Sequence, residues 1–140
     1  MVEAAVFFLV LWQEDLRLRL RTAGVRLPVV RALQDAWYLR FGDFANGFVN
    51  AFLLDGLVDV AIAKGWLRPG ASSRFRSPRV RASLAALLSG LSIVLYEVFG
   101  HGPAGPDWPD IPAGLLGALF HLGVRLTRIA ARHAGPPPAA

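Results

Sequence analysis

The sequence predicts an all-α integral membrane protein: a bundle of three to four spanning helices plus an amphipathic interfacial helix. Three observations carry that prediction. Of the 140 residues, 54% are hydrophobic and 18% charged, against about 45–50% and about 25% in an ordinary soluble domain. Mean hydropathy is +0.44, so there is too little charge to coat a soluble surface. The charges also alternate in blocks with apolar runs of about 20 residues, the length an α-helix needs to cross the hydrocarbon core.

Residues 1–12 (MVEAAVFFLVLW) form the first apolar run. They lack the basic start and the small-x-small cleavage site of a signal peptide, and Glu3 interrupts them, so they read as mature chain. Eleven or twelve apolar residues do not cross a bilayer alone, which makes this a short, tilted or incomplete first span. The alternatives are that it lies in the interface, or that the protein starts further upstream. The following LRLRLR, residues 16–21, alternates with period two and reads as a half-exposed strand or an extended interfacial stretch. Residues 29–41 (VVRALQDAWYLRF) read as an amphipathic helix that lies along the membrane surface or leads into the next span, with Gly42-Asp43 marking the join.

Three segments are long and apolar enough to span: 44–63, 82–99 and 111–131. Asp110 is the expected N-cap of the last, with Pro112 in its first turn. Together residues 1–134 make one helical membrane domain, and 135–140 (GPPPAA) a disordered tail.

Basic residues orient the bundle. Residues 64–81 carry Lys64, Arg68, Arg74, Arg76, Arg79 and Arg81, whereas residues 100–110 carry no Lys or Arg but hold Asp107 and Asp110. The positive-inside rule puts loop 64–81 and the C-terminus in the cytoplasm of a bacterial cell and loop 100–110 outside, which leaves Arg17, Arg19, Arg21, Arg26 and Arg31 outside as well if residues 2–12 cross. Net charge is +5, and 14 of the 15 basic residues are Arg. Flanks anchored at a lipid surface account for that basicity, so no nucleic-acid partner is expected. The absence of cysteine excludes disulfides, thiolate metal sites and a Cys nucleophile.

Ionisable groups inside spanning helices are costly and mark the informative positions. At about 100° per residue, Asp110, Gly114, Gly117, His121, Arg125 and Arg128 fall on one stripe of the last helix. Gly114 and Gly117 allow close helix approach, and His121 points into the bundle. The stripe reads as a packing seam with a hydrogen-bonded His and with Arg125 and Arg128 snorkelling to the headgroups. A haem, metal or proton-relay role for His121 is the alternative.

Within 44–63, Asp43, Asn46 and Asn50 share one face, and Asp55 and Asp59 a roughly opposite one. Asp59 can be neutralised by Lys64 or the basic loop. Asp55, deeper, requires an Arg partner or a proton. Ser89, Ser92 and Tyr96 line one face of 82–99, and Glu97 lies at its end. Across the short 100–110 loop, Glu97 can meet Asp110, and with Asp43 and Asn46 the two form an acidic polar cluster. Such a cluster does acid–base work, holds a cation, or simply faces the aqueous rim. No nucleophile elbow, phosphate-cradling loop or zinc-hydrolase motif is present, so the chain leans away from catalysis. No cofactor or metal is expected.

The run YEVFGHGPAGPDWPDIPAGLLGAL, with Glu97 closing one span and Asp110 opening the next, resembles the VanZ-like membrane proteins. Gly117 matches the family's Gly, and Gly114 stands where the family usually has Asn. DFANGF at 43–48 resembles its acidic residue followed three positions later by His, with Asn46 in place of the His. The Gln that often follows the Glu is absent. The resemblance, mainly over residues 43–125, implies a small four-helix membrane fold tied to glycopeptide resistance and cell-envelope physiology. The family has no settled mechanism. Two roles follow as expectations: recognition of a lipid or envelope-precursor headgroup at the acidic cluster, or a non-catalytic subunit or scaffold among other membrane subunits.

Overall fold

In a computed structural model, residues 2–26, 31–67, 77–100 and 107–133 are described. They form four helices and no strand: α1 (Val2–Thr22), α2 (Arg31–Ala63), α3 (Pro78–Phe99) and α4 (Asp110–His133). Helices α2, α3 and α4 are long and apolar enough to cross a membrane, with windows of mean hydropathy 1.4, 1.8 and 1.2. The all-helical, multi-pass fold is thus as expected. Residues 101–106, residues 68–76 of the 64–81 loop and the tail 135–140 lie outside the described residues.

Two local expectations are corrected. The LRLRLR stretch is helical, part of the 21-residue α1. Leu and Arg are both good helix formers, and the arginines find acidic partners one turn back. Arg17 Nη2 lies 2.5 Å from Glu14 Oε1, and Arg19 Nε lies 2.8 Å from Asp15 Oδ2. These i,i+3 and i,i+4 pairs stabilise a helix and do nothing for a strand. Arg17 also donates to the Tyr38 carbonyl of α2. The basic half of α1 is therefore docked on protein, and α1 is not among the three candidate spans.

The second correction concerns 29–41. Residues 31–41 do not make a separate interfacial helix; they are the first turns of the 33-residue α2, while residues 29 and 30 are outside the described set. Gly42 does not break the helix, because the Arg17 guanidinium packs against it: a Cβ there would lie 3.0 Å from Arg17 Nη2. At 1.5 Å per residue, α2 is about 50 Å long, more than the roughly 30 Å hydrocarbon core.

Helix α2 is the centre of the bundle, packed by each of the other three. Against α1 it buries Val10, Ala45 and Phe48, with Phe7 stacked on Phe52 at 4.5 Å. Against α4 it packs backbone to backbone. A Cβ on Gly47 would collide with the Gly114 carbonyl, and one on Gly117 with the Phe44 carbonyl. The expected seam at Gly114 and Gly117 is therefore real, and Gly47 is its counterpart on α2. Lipid offers no hydrophobic drive between helices, so such close approach supplies dispersion contact instead. Helix α3 joins through small buried residues (Ala82, Ala85, Ala86, Ser89), and Ser89 Oγ donates to the Gly47 carbonyl at 3.0 Å.

Leu53, Leu57, Leu87, Leu91, Leu95, Leu116 and Leu119 are exposed on the outside of α2, α3 and α4. A belt of this kind is a liability in water and the expected surface in a bilayer. Because α2 is covered on several sides, it accommodates two polar faces, one toward each end of the bundle.

Candidate functional site: an acidic cleft at one end of the bundle

The first polar face gathers where the C-terminal end of α3 meets the start of α4. Asp43 of α2, Glu97 of α3 and Asp110 of α4 each place a carboxylate oxygen within 4.8 Å of the others. Three helices are needed to do this. Asp43 is held by the long α2, Glu97 by the last turn of α3, and Asp110 opens α4. Glu97 is 5% exposed. Arg40, one turn before Asp43, ion-pairs with Asp110 and lies 3.5 Å from Asp107. Sequence reading missed Arg40; its signal is a lone cation three residues before the intramembrane Asp.

Beside the carboxylates lies an open cleft of about 400 Å³, lined by Asp43, Asn46, Asn50, Ser92, Tyr96 and Glu97. The four predicted cluster residues are thus brought together: Asp43, Asn46 and Glu97 line the cleft, and the Asp110 carboxylate lies within 4.8 Å of those of Asp43 and Glu97. Ser92 and Tyr96, expected on a face separate from Glu97, share the cleft with it. Asn50 lies about 10 Å deeper along α2 than Asp43, at 1.5 Å per residue. It is an exposed amide on a helix long enough to span. Polar side chains at that depth face a cavity or a ligand more readily than lipid.

The chemistry of the lining is one-sided. Among the described residues, Asp43 and Glu97 line the cleft, with Asp110 and its partner Arg40 beside it, and an ionised carboxylate only accepts hydrogen bonds. The cleft therefore suits a cationic, donor-rich group. The three convergent carboxylates also have the spacing at which oxygen ligands gather around a divalent cation.

The second polar face forms a different structure. At the other end of α2, Arg125 of α4 reaches Asp55 (Nε–Oδ2 2.9 Å), Asp59 (Nη2–Oδ2 2.6 Å) and Glu3 (3.1 Å). Arg128 pairs with Glu3, and Arg81 lies 2.9 Å from Asp59. The sequence requirement that Asp55 have an Arg partner is met. The expectation that Arg125 snorkels outward is not, since its side chain is 13% exposed and turned inward. A guanidinium with five fixed donors satisfies several carboxylates at once, and leaving Asp55 alone would cost more than burying Arg125. Asp59 finds Arg81 and Arg125. Glu3 was not anticipated as a partner; an acidic residue within an apolar run was its signal.

His121 is 2% exposed. Its ring stands edge-on to Phe48 and Phe52 at 5.7 and 5.9 Å, and Nε2 lies 3.5 Å from Asp55 Oδ2. The ring thus packs among aromatic side chains beside the ionic network, with the Asp55 carboxylate near it in place of the hydrogen bond expected for it. The network ties α1, α2, α3 and α4 together and its charges pair internally, whereas the acidic cleft is open and, among the described residues, richer in carboxylates than in cations.

Compared with models of known protein families, with curated proteins and with solved structures, the chain matches none.

Proposed function

We propose that this chain is a multi-pass protein of a bacterial cytoplasmic membrane, of the VanZ-like kind, that binds the ammonium-bearing headgroup of a membrane amphiphile in its acidic cleft. The observation that carries the reading is the convergence of Asp43, Glu97 and Asp110 within 4.8 Å beside an open polar cleft. Ligand sites run from about 300 to 1,000 Å³. A cleft of about 400 Å³ suits a headgroup and leaves the chains of the amphiphile in lipid. Asp43 and Glu97 accept from the ammonium, and Asn46, Asn50, Ser92 and Tyr96 serve the neighbouring polar atoms. Arg40 pairs with Asp110 and leaves Asp43 and Glu97 to the ammonium.

The positive-inside rule supports an orientation with the 64–81 loop and the C-terminus cytoplasmic, which turns the cleft to the outer leaflet. There it would meet lipids and envelope precursors. The role is one of recognition. The test is genetic: a strain lacking the gene is complemented with wild type, Glu97→Gln or Asp43→Asn, and its sensitivity to envelope-directed antibiotics is measured. Both variants, present at normal level, are expected to behave like the deletion. Full complementation by both would end this reading.

A further inference from the structure

At the end of the bundle opposite the acidic cleft lies a second cavity, of about 420 Å³, lined among others by Asp59, Pro78, Arg81, Arg125, Arg128 and Arg132. Arg81, Arg125 and Arg128 are matched by Glu3, Asp55 and Asp59 in the ionic network. Arg132 also lines the cavity, and no carboxylate pairs with it among the described residues. The cavity therefore holds positive charge beyond what the described residues neutralise.

A second feature adds to that charge. Pro78 opens the 22-residue α3 at the cavity, Ser77 gives no side-chain cap, and the first turn has no acidic residue. The first amides of a helix have no intrahelical partner and attract anions. The C-terminus of α4 brings an opposing dipole, and Arg132 and His133 in its last turn offset it.

The cavity adjoins an apolar one. A groove of about 620 Å³ runs between α1 and α4, lined by Val2, Val6, Leu119, Phe120 and Gly123, and Arg128 lines both the groove and the basic cavity. Gly123 leaves the groove open, with nothing within 4 Å of where a Cβ would stand. A basic cavity joined through one arginine to a chain-sized apolar groove has the charge and shape of an anionic phospholipid. Basic pockets between spanning helices select such headgroups.

We infer that this end of the bundle is a binding site for an anionic phospholipid, its phosphate seated by Arg132, Arg128 and the α3 N-terminus and one acyl chain lying in the α1–α4 groove. The site is independent of the acidic cleft, shares no residue with it, and prefers the opposite charge.

The test uses the full chain purified in mild detergent. Bound lipid is read by native mass spectrometry after addition of phosphatidylglycerol or phosphatidylcholine with matched chains. Wild type is expected to retain phosphatidylglycerol about tenfold better. Arg132→Gln should remove most of that preference by weakening the headgroup seat. Gly123→Leu, which fills the groove, should cut phosphatidylglycerol occupancy several-fold. Both positions are exposed, and unchanged circular dichroism and melting temperature will show that both variants fold. Glu97→Gln should leave phosphatidylglycerol occupancy unaltered, which separates this site from the cleft. Equal retention of the two lipids, or indifference to both substitutions, overturns the inference. Displacement of phosphatidylglycerol by millimolar inorganic phosphate, with Gly123→Leu silent, would assign the cavity to a free anion and also overturn it.

Discussion

Arg125 lies 2.9 Å from Asp55, and this pair joins the two central helices α2 and α4 where neither charge could otherwise be tolerated. Asp55 is 3% exposed. Arg125 carries Glu3 and Asp59 on its remaining donors, so one guanidinium ties α1, α2 and α4. Truncating one partner of a buried ion network strands the others at a cost of about 3–5 kcal/mol. Arg125→Ala is expected to lower the melting temperature in detergent sharply. Adding Asp55→Asn, which removes one of the stranded charges, should recover part of the loss. A melting temperature equal to wild type for Arg125→Ala would contradict the network's role.

The glycine seam makes a second prediction. A side chain on Gly47 meets the Gly114 carbonyl, which is backbone and cannot swing aside. Gly47→Ala should therefore push α2 and α4 apart and destabilise by about 1–3 kcal/mol, as overpacking does. Gly56→Ala is the control, because nothing lies within 4 Å of a Cβ there. Removing a mid-helix glycine should stabilise by up to about 1 kcal/mol. Opposite shifts in thermal unfolding for the two variants are the expected outcome.

A third prediction concerns orientation. The chain has no cysteine, so single cysteines report accessibility without background. In intact cells, a membrane-impermeant thiol reagent should label Asp107→Cys and leave Lys64→Cys unlabelled until the membrane is opened. The reverse pattern would put the acidic cleft in the cytoplasm.

Arg40 gives a fourth. Its side chain is 34% exposed, and ion pairs this open to solvent contribute about 0–1 kcal/mol. Arg40→Gln should therefore change thermal stability little. It should change ligand retention in the cleft, because it removes the cation paired with Asp110. A large stability loss would mean that Arg40 is structural.

What could be read in the sequence, and what could not, divides along sequence distance. The spans show because about 20 apolar residues between basic blocks have few other uses. The acidic cluster shows because Glu97 and Asp110 face each other across a short loop between two helix ends, and Asp43 stands at the start of the apolar run 44–63. The seam shows because Gly114 and Gly117 fall on one stripe. The ionic network does not, since Glu3 and Arg125 are 122 residues apart and nothing local announces their meeting. The helix at residues 16–21 was hidden by a period-two pattern that the Glu14 and Asp15 pairings override. The continuity of α2 was hidden by Gly42, whose helical cost is offset by packing against Arg17.

The central claim is that the acidic cleft recognises an ammonium headgroup, and binding tests it most directly. Purified protein is melted in detergent with phosphatidylethanolamine or with phosphatidylcholine of matched chains. The two headgroups carry the same charge, but only the first has N–H donors for Asp43 and Glu97. Phosphatidylethanolamine should raise the melting temperature of wild type more than phosphatidylcholine, and Glu97→Gln should erase the difference. Equal shifts from the two lipids in wild type would contradict the account.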